Sequence, residues 1–149
     1  MRFSKQQNFF HYNLEDDNIL SIIKEVKPHL IISCLRGSFD AQVSCHHQLV
    51  DYIINFNCRL MYFSSANVFD AFEHYPSYEF DKTLSESKYG RYQIKIENSL
   101  LKLSPSKYVI GRLPMVFGTN APRIKEIEAQ VKSGIPIEVF PNTIINGKD

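Results

Sequence analysis

Three cysteines, Cys34, Cys45 and Cys58, are an odd number and too few to staple a small secreted fold. No apolar run reaches the length of about 18 residues that a membrane-spanning helix needs. The N-terminal MRFSKQQNFFHYNLEDD lacks the continuous apolar stretch of a signal peptide, so the cytoplasm is the expected compartment. Charge of one sign is not in excess. The 17 basic and 16 acidic residues leave a net charge of +1, without the basic surplus of a nucleic-acid binder. Neither nucleic acid nor a membrane is expected as a partner. Repeats, low-complexity tracts and evident linkers are also missing. What remains is 149 residues, 44% hydrophobic and 22% charged, which suits one folded domain. Such a chain buries roughly 70% of the surface its unfolded form exposes.

Apolar residues recur in two periods along the chain. Residues 17–26 place Ile19, Ile22, Ile23 and Val26 at helical spacing, with Asp16 or Asp17 available as N-cap and Pro28 as a stop. Residues 29–34 form a short apolar run that reads as a buried strand, followed by Gly37. Residues 40–56 read as a helix with Val43, Leu49, Val50, Ile53 and Ile54 inward, and 59–65 as a second strand. The longest predicted helix covers 84–103, where Thr83 and Glu86 have the spacing of a capping box. A strand at 108–113, a helix after Pro122 and a strand near 137–140 complete the order. Apolar strands without polar alternation, separated by helices, predict an α/β fold: a partial doubly wound, Rossmann-like parallel sheet with helices on both faces. Ligands of such sheets sit beyond the carboxyl ends of the strands. This directs attention to Ser33–Gly37, Ser64–Phe69 and Leu113–Gly118.

Several side chains in or near these places invite a chemical reading. Ser64 and Ser65 put two hydroxyls at a strand's carboxyl end, where they close the strand or hydrogen-bond a substrate oxygen. Tyr89 and Gln93 lie four apart on one helix face, with Gly90 between them. A mid-helix glycine costs about 1 kcal/mol relative to alanine, so it marks close approach of a ligand or of another backbone. Tyr89 and Tyr92 equally suit amphipathic packing. Cys45, His46 and His47 are contiguous, but adjacent helical residues point about 100° apart and no second ligand pair completes a tetrahedron. No metal site is expected, and His46 and His47 read as a solvated helix face. Arg36, after a strand, suits either an anion or plain solvent.

In order and spacing, Ser64-Ser65-Ala66-Asn67-Val68-Phe69, Tyr89-Gly90-x-x-Gln93 and Arg112-x-x-x-Val116-Phe117-Gly118 resemble three motifs of the extended short-chain dehydrogenase/reductase family. Val68-Phe69-Asp70 is most similar to its sugar-nucleotide reductases of the dTDP-4-dehydrorhamnose reductase type. The resemblance runs from about residue 10 to the C-terminus. It implies hydride transfer from an NAD(P) cofactor to the ketone of a nucleotide sugar. Tyr89 would be the general acid, with Ser65 hydrogen-bonded to the same oxygen and Gln93 at the position of the family lysine. Cys34, Leu35, Arg36, Ser64, Tyr89, Gln93, Pro114, Met115 and Val116 would line the cofactor site.

Two departures qualify what the resemblance implies. The family lysine favours the ionised tyrosine through its charge, and glutamine carries none. Lys95 projects about 200° around the helix from Gln93 and is a poor substitute. The first glycine is Gly37, so the glycine-rich turn that meets a dinucleotide pyrophosphate is missing. Residues 9–16 resemble the family's third strand and the loop after it. The chain is therefore expected to be a partial NAD(P)-binding domain over 1–149, lacking the first strand, helix and second strand. Residues 134–149 are the approach to a truncated substrate-binding region. Dinucleotide binding by this chain alone is not expected, and activity is expected to be reduced or absent. An exposed sheet edge then predicts a homo-oligomer or a complementing chain. The alternative function is a non-catalytic sugar-nucleotide-binding or assembly module of the same fold.

Overall fold

The computed structural model describes residues 9–72, 77–114 and 121–136. Residues 1–114 and 115–149 form two compact units. The first unit runs α1 (Ile19–Val26), β1 (Leu30–Ser33), α2 (Phe39–Asn55), β2 (Arg59–Ser65), a 3-10 turn (Ala66–Phe69), α3 (Lys88–Leu100), a second 3-10 turn (Pro105–Lys107) and β3 (Tyr108–Leu113). The described part of the second unit contains α4 (Pro122–Lys132), which starts on Pro122 and is followed by Gly134 in the left-handed region. The strand expected near 137–140 lies outside the described residues.

The three strands pair in parallel in the order β1-β2-β3, with Leu30 opposite Arg59 and Leu60 opposite Tyr108. All three carboxyl ends, Ser33, Ser65 and Leu113, therefore lie along one edge. This is the α/β parallel-sheet architecture expected from the apolar runs. Residues 9–13 form no strand, contrary to the reading of 9–16 as the family's third strand and the loop after it. A strand needs a neighbour's hydrogen-bonding edge, and none of the described strands pairs with this segment. It runs instead into the turn at 14–16, and the hydroxyl of Tyr12 donates to Cys45 Sγ at 3.4 Å.

Helices α2 and α3 lie side by side on one face of the sheet, and α1 packs against α2. Their shared core joins Val43, Leu49, Val50 and Ile53 of α2 to Leu60 and Tyr62 of β2 and to Ile96 and Leu100 of α3. Ile54 was expected inward but is 63% exposed. At the end of α2 the buried face is carried by Tyr52 and Ile53, and Tyr52 stacks on Phe56 at 4.5 Å. Only Ile23 of α1 is buried, and Val26 is 49% exposed. On the opposite face of the sheet, Leu30, Ile32, Val109 and Leu113 are 54%, 56%, 59% and 42% exposed.

Two helix starts differ from expectation. Asn18, not Asp16 or Asp17, caps α1 by accepting the Leu20 amide at 2.8 Å. Asp17 and Asp16 are taken by the Asn13 backbone amide and side-chain amide, at 2.7 and 2.6 Å, so they close the preceding turn. Helix α3 begins at Lys88 with Ser87 as its cap, and Thr83 does not cap it. Residues 84–86 are held against the 3-10 turn instead. The Leu84 amide donates to the Val68 carbonyl at 2.8 Å, and the Glu86 amide donates to Asp70 Oδ1 at 2.8 Å.

Candidate functional site along the carboxyl edge of the sheet

Three strand ends and the first half of α3 supply the candidate residues. Tyr89 stands in the first turn of α3 and is 41% exposed, the most open of the three catalytic candidates. Its ring lies 6.0 Å from that of Phe39, which stacks on Tyr92 at 4.7 Å. Tyr92 donates to Asp40 at 2.9 Å. Tyr92 therefore ties α3 to α2 as a packing residue, while Tyr89 keeps an exposed surface. The ammonium groups of Lys88 and Lys95 lie 5.9 and 6.0 Å from the Tyr92 ring. Lys95 thus faces Tyr92, not the Gln93 side of the helix.

Gly90 resolves in favour of a backbone neighbour. A Cβ there would overlap the Asn67 carbonyl oxygen and Ser85 Oγ. The glycine lets the turn after β2 lie directly on α3. That turn engages Ser65: its Oγ accepts the Asn67 amide at 3.2 Å and donates to Asn67 Oδ1 at 2.8 Å. Asp70 clamps the other end of the turn. Burial alone would push its carboxyl up. Hydrogen bonds from the Ser87 and Ser85 hydroxyls and the Glu86 and Ser87 amides outweigh this and hold it below its ordinary value.

Ser64 points the other way, into the protein, and donates to Glu97 Oε1 at 2.5 Å. Glu97 is 1% exposed and takes a two-pronged contact from Arg112, closest at 2.8 Å. The Arg112 guanidinium also lies 4.9 Å over the Phe69 ring and donates to the Glu79 carbonyl at 2.7 Å. One ion pair therefore joins β3, α3, the end of β2 and the 79–80 loop. A planar guanidinium can meet a carboxylate and an aromatic face at once, which an ammonium cannot.

Gln93 is 5% exposed and accepts a hydrogen bond from the buried Tyr62 hydroxyl. Burial pushes the Tyr62 phenol well above its ordinary value, and the nearby Tyr89 hydroxyl and Glu97 carboxylate add to this. Tyr62 therefore stays a neutral donor. Of the cofactor-lining residues, Cys34 and Arg36 are exposed just past β1, Leu35 packs partly against the core, and Pro114 is exposed past β3. Met115 and Val116 lie outside the described residues.

His46 corrects the expectation of a solvated pair. His47 is exposed, but His46 is 1% exposed. Its Nδ1 lies 2.6 Å from the Gln42 carbonyl, its Nε2 lies 2.9 Å from Ser33 Oγ, and its ring meets the Tyr62 edge at 4.8 Å. With Nδ1 protonated, the ring donates to Gln42 and accepts from Ser33. Burial holds its pKa below the ordinary value, against the pull of the Gln42 carbonyl, and His47 adds to the lowering. A separate open cavity of about 490 Å³ is lined by Glu15, Asp16, Asp17 and Asp40, four carboxylates that disfavour a phosphate.

Sequence reasoning missed Tyr62, Asp70 and Glu97. Glu97 was the most legible of them, since it follows Gln93 by one helical turn on the face that also carries Tyr89. Nothing in the strand run around Tyr62 distinguishes its hydroxyl from apolar filling.

No family model matches this chain, and no curated protein does. Solved structures do. A dTDP-4-dehydrorhamnose reductase from Clostridium acetobutylicum superposes with a TM-score of 0.64 at 23% identity, over 77% of this chain and 45% of that one. A dTDP-4-dehydrorhamnose reductase from Yersinia enterocolitica gives a TM-score of 0.59 at 23% identity, over 78% of this chain and 46% of that one. The chain thus spans less than half the length of either reductase, and what it shares with them is the Rossmann-like α/β fold.

Proposed function

We propose that this chain carries the tyrosine-bearing part of a nicotinamide-dependent reductase that acts on the ketone of a nucleotide sugar. The observation that carries the reading is Tyr89, exposed in the first turn of α3 on the same helix face as Gln93, at the edge where the carboxyl ends of three parallel strands converge. A nicotinamide, when bound, supplies the hydride. Tyr89 holds the proton that the substrate oxygen takes. Ser65 supports that oxygen once its hydroxyl turns from Asn67 to the substrate. Gln93 offers a neutral N–H where a lysine would offer a charged one.

The residues fit the cofactor in one half. Cys34 and Arg36 are exposed beyond β1, and Gln93 and Pro114 flank the same edge, which suits the ribose and nicotinamide. The other half lacks a counterpart among the described residues. Gly37 is the one glycine between β1 and α2, and the Leu14 side chain fills the place a Cβ there would take, so it forms no pyrophosphate cradle. A homo-oligomer or a complementing chain that completes the site belongs to the same proposal, as does the nucleotide sugar as ligand.

The test is direct. The chain is titrated with NADH and NADPH, then assayed for consumption of the reduced dinucleotide with a 4-keto nucleotide sugar. Turnover should fall about 10²- to 10⁴-fold in Tyr89→Phe, the usual worth of a positioned general acid. A chain that neither binds nor consumes a dinucleotide excludes catalysis by this chain on its own. A second reading then gains: a nucleotide-sugar-binding module without catalysis. It draws support from Ser65 and Gln93, both held by neighbours within the protein. It predicts sugar-nucleotide binding that Tyr89→Phe leaves unchanged.

A further inference from the structure

We infer that Tyr62 is a positioning residue that fixes the Gln93 carboxamide with its N–H side turned toward the ligand edge. The inference rests on the proposed role of Gln93 and adds a residue to it. A carboxamide is planar, with its oxygen and its NH₂ group on opposite sides, and the two are close to isosteric. Without a partner, either could face the ligand. Here the buried Tyr62 hydroxyl donates to Gln93 Oε1, so the oxygen faces the sheet and the NH₂ group faces away from it. Tyr62 is 3% exposed and Gln93 5%, which leaves little water to compete for that bond. A phenol is protonated at neutral pH, and burial pushes Tyr62 further above its ordinary value, so the donor persists well into alkaline solution.

Burial and the His46 ring restrict the Tyr62 ring. His46 of α2 meets its edge at 4.8 Å, and Glu97 lies one turn beyond Gln93 on α3, held by Ser64 and Arg112. The phenol is thus fixed before any ligand arrives. A lysine at position 93 needs no such device, because an ammonium donates in every direction. A glutamine does need one. The Tyr62–Gln93 pair makes a neutral side chain a donor of fixed direction, suited to a ribose hydroxyl or another ligand oxygen.

Side-chain amide NMR on the isotope-labelled full chain tests this. The Gln93 NH₂ pair is identified by its disappearance in Gln93→Glu. In the wild type it should be shifted from the other glutamines and restricted in motion. In Tyr62→Phe it should move to the shifts and mobility of exposed glutamines, with the backbone spectrum unchanged away from position 62. A wild-type pair already at exposed-glutamine shifts overturns the inference without any variant, and an unchanged pair in Tyr62→Phe overturns it as well. Where the wild type binds a nicotinamide dinucleotide, Tyr62→Phe should weaken binding about five-fold, the worth of one oriented hydrogen bond. Failure of the wild type to bind would exclude catalysis by this chain on its own, while the amide spectra still decide the role of Tyr62.

Discussion

At the scale of single residues, the candidate edge is built from side chains with two competing partners. Ser65 caps a turn or serves a ligand, and in this structure it caps the turn. His46 is a buried neutral ring between Ser33 and Gln42. Its pKa is lowered by folding, so the stability it contributes is fully present above the ordinary histidine value of about 6.5 and is lost as pH falls below it. Thermal melts at pH 7 and pH 5 should therefore differ more in the wild type than in His46→Gln. Equal differences would show that this ring is not the acid-sensitive group. Gly90→Ala should destabilise the fold even though alanine favours a helix by about 1 kcal/mol. Its methyl meets the Asn67 carbonyl, which belongs to backbone and cannot swing aside, and overpacking of that kind costs about 1–3 kcal/mol. A lower urea midpoint is the expected result. The mid-helix glycine was legible in the sequence as a close approach, but what approaches it was not. That partner comes from the turn after β2, more than twenty positions away, and no local pattern connects the two.

At the scale of elements, the strands and the helices α2 and α3 followed from hydrophobic period, and β2 and β3 have the bounds their apolar runs suggested. The helix starts did not follow. Thr83 and Glu86 have the right spacing for a capping box, but tertiary hydrogen bonds donated by the Leu84 and Glu86 amides to the Val68 carbonyl and the Asp70 carboxylate hold 84–86 out of the helix and pass the cap to Ser87. Sequence spacing cannot register a competitor from another segment. The Arg112–Glu97 pair is likewise an agreement between elements: a charge inside an apolar strand answered by a charge inside an amphipathic helix. Arg112→Met should cost about 3–5 kcal/mol, because it leaves a carboxylate buried with Ser64 as its remaining hydrogen-bond donor. Chemical denaturation measures this, and replacing both Glu97 and Arg112 by apolar residues should recover much of the loss. If the double variant is no better than Arg112→Met, the cost lies in packing on Phe69 instead.

At the scale of the whole molecule, an apolar sheet face with Leu30, Ile32 and Val109 more than half exposed is poorly compatible with water. Light scattering should show association that grows with concentration, and Ile32→Lys with Val109→Lys should reduce it. A monodisperse wild type would show that this face is tolerated as it is. The order of the strands carries a further consequence, for the time course of folding. Every rung of this sheet is parallel, so no strand pairs with one a short turn away. The tie between Lys107 and the Phe56 carbonyl spans 51 positions, and that between Tyr92 and Asp40 spans 52. Closing such loops precedes any gain from pairing, which places the chain among slow folders for its size. On a ribosome, β2 would emerge with β1 available to one edge and wait for β3 with its other edge bare, so the interval between those two strands is when the nascent chain most needs protection from other chains.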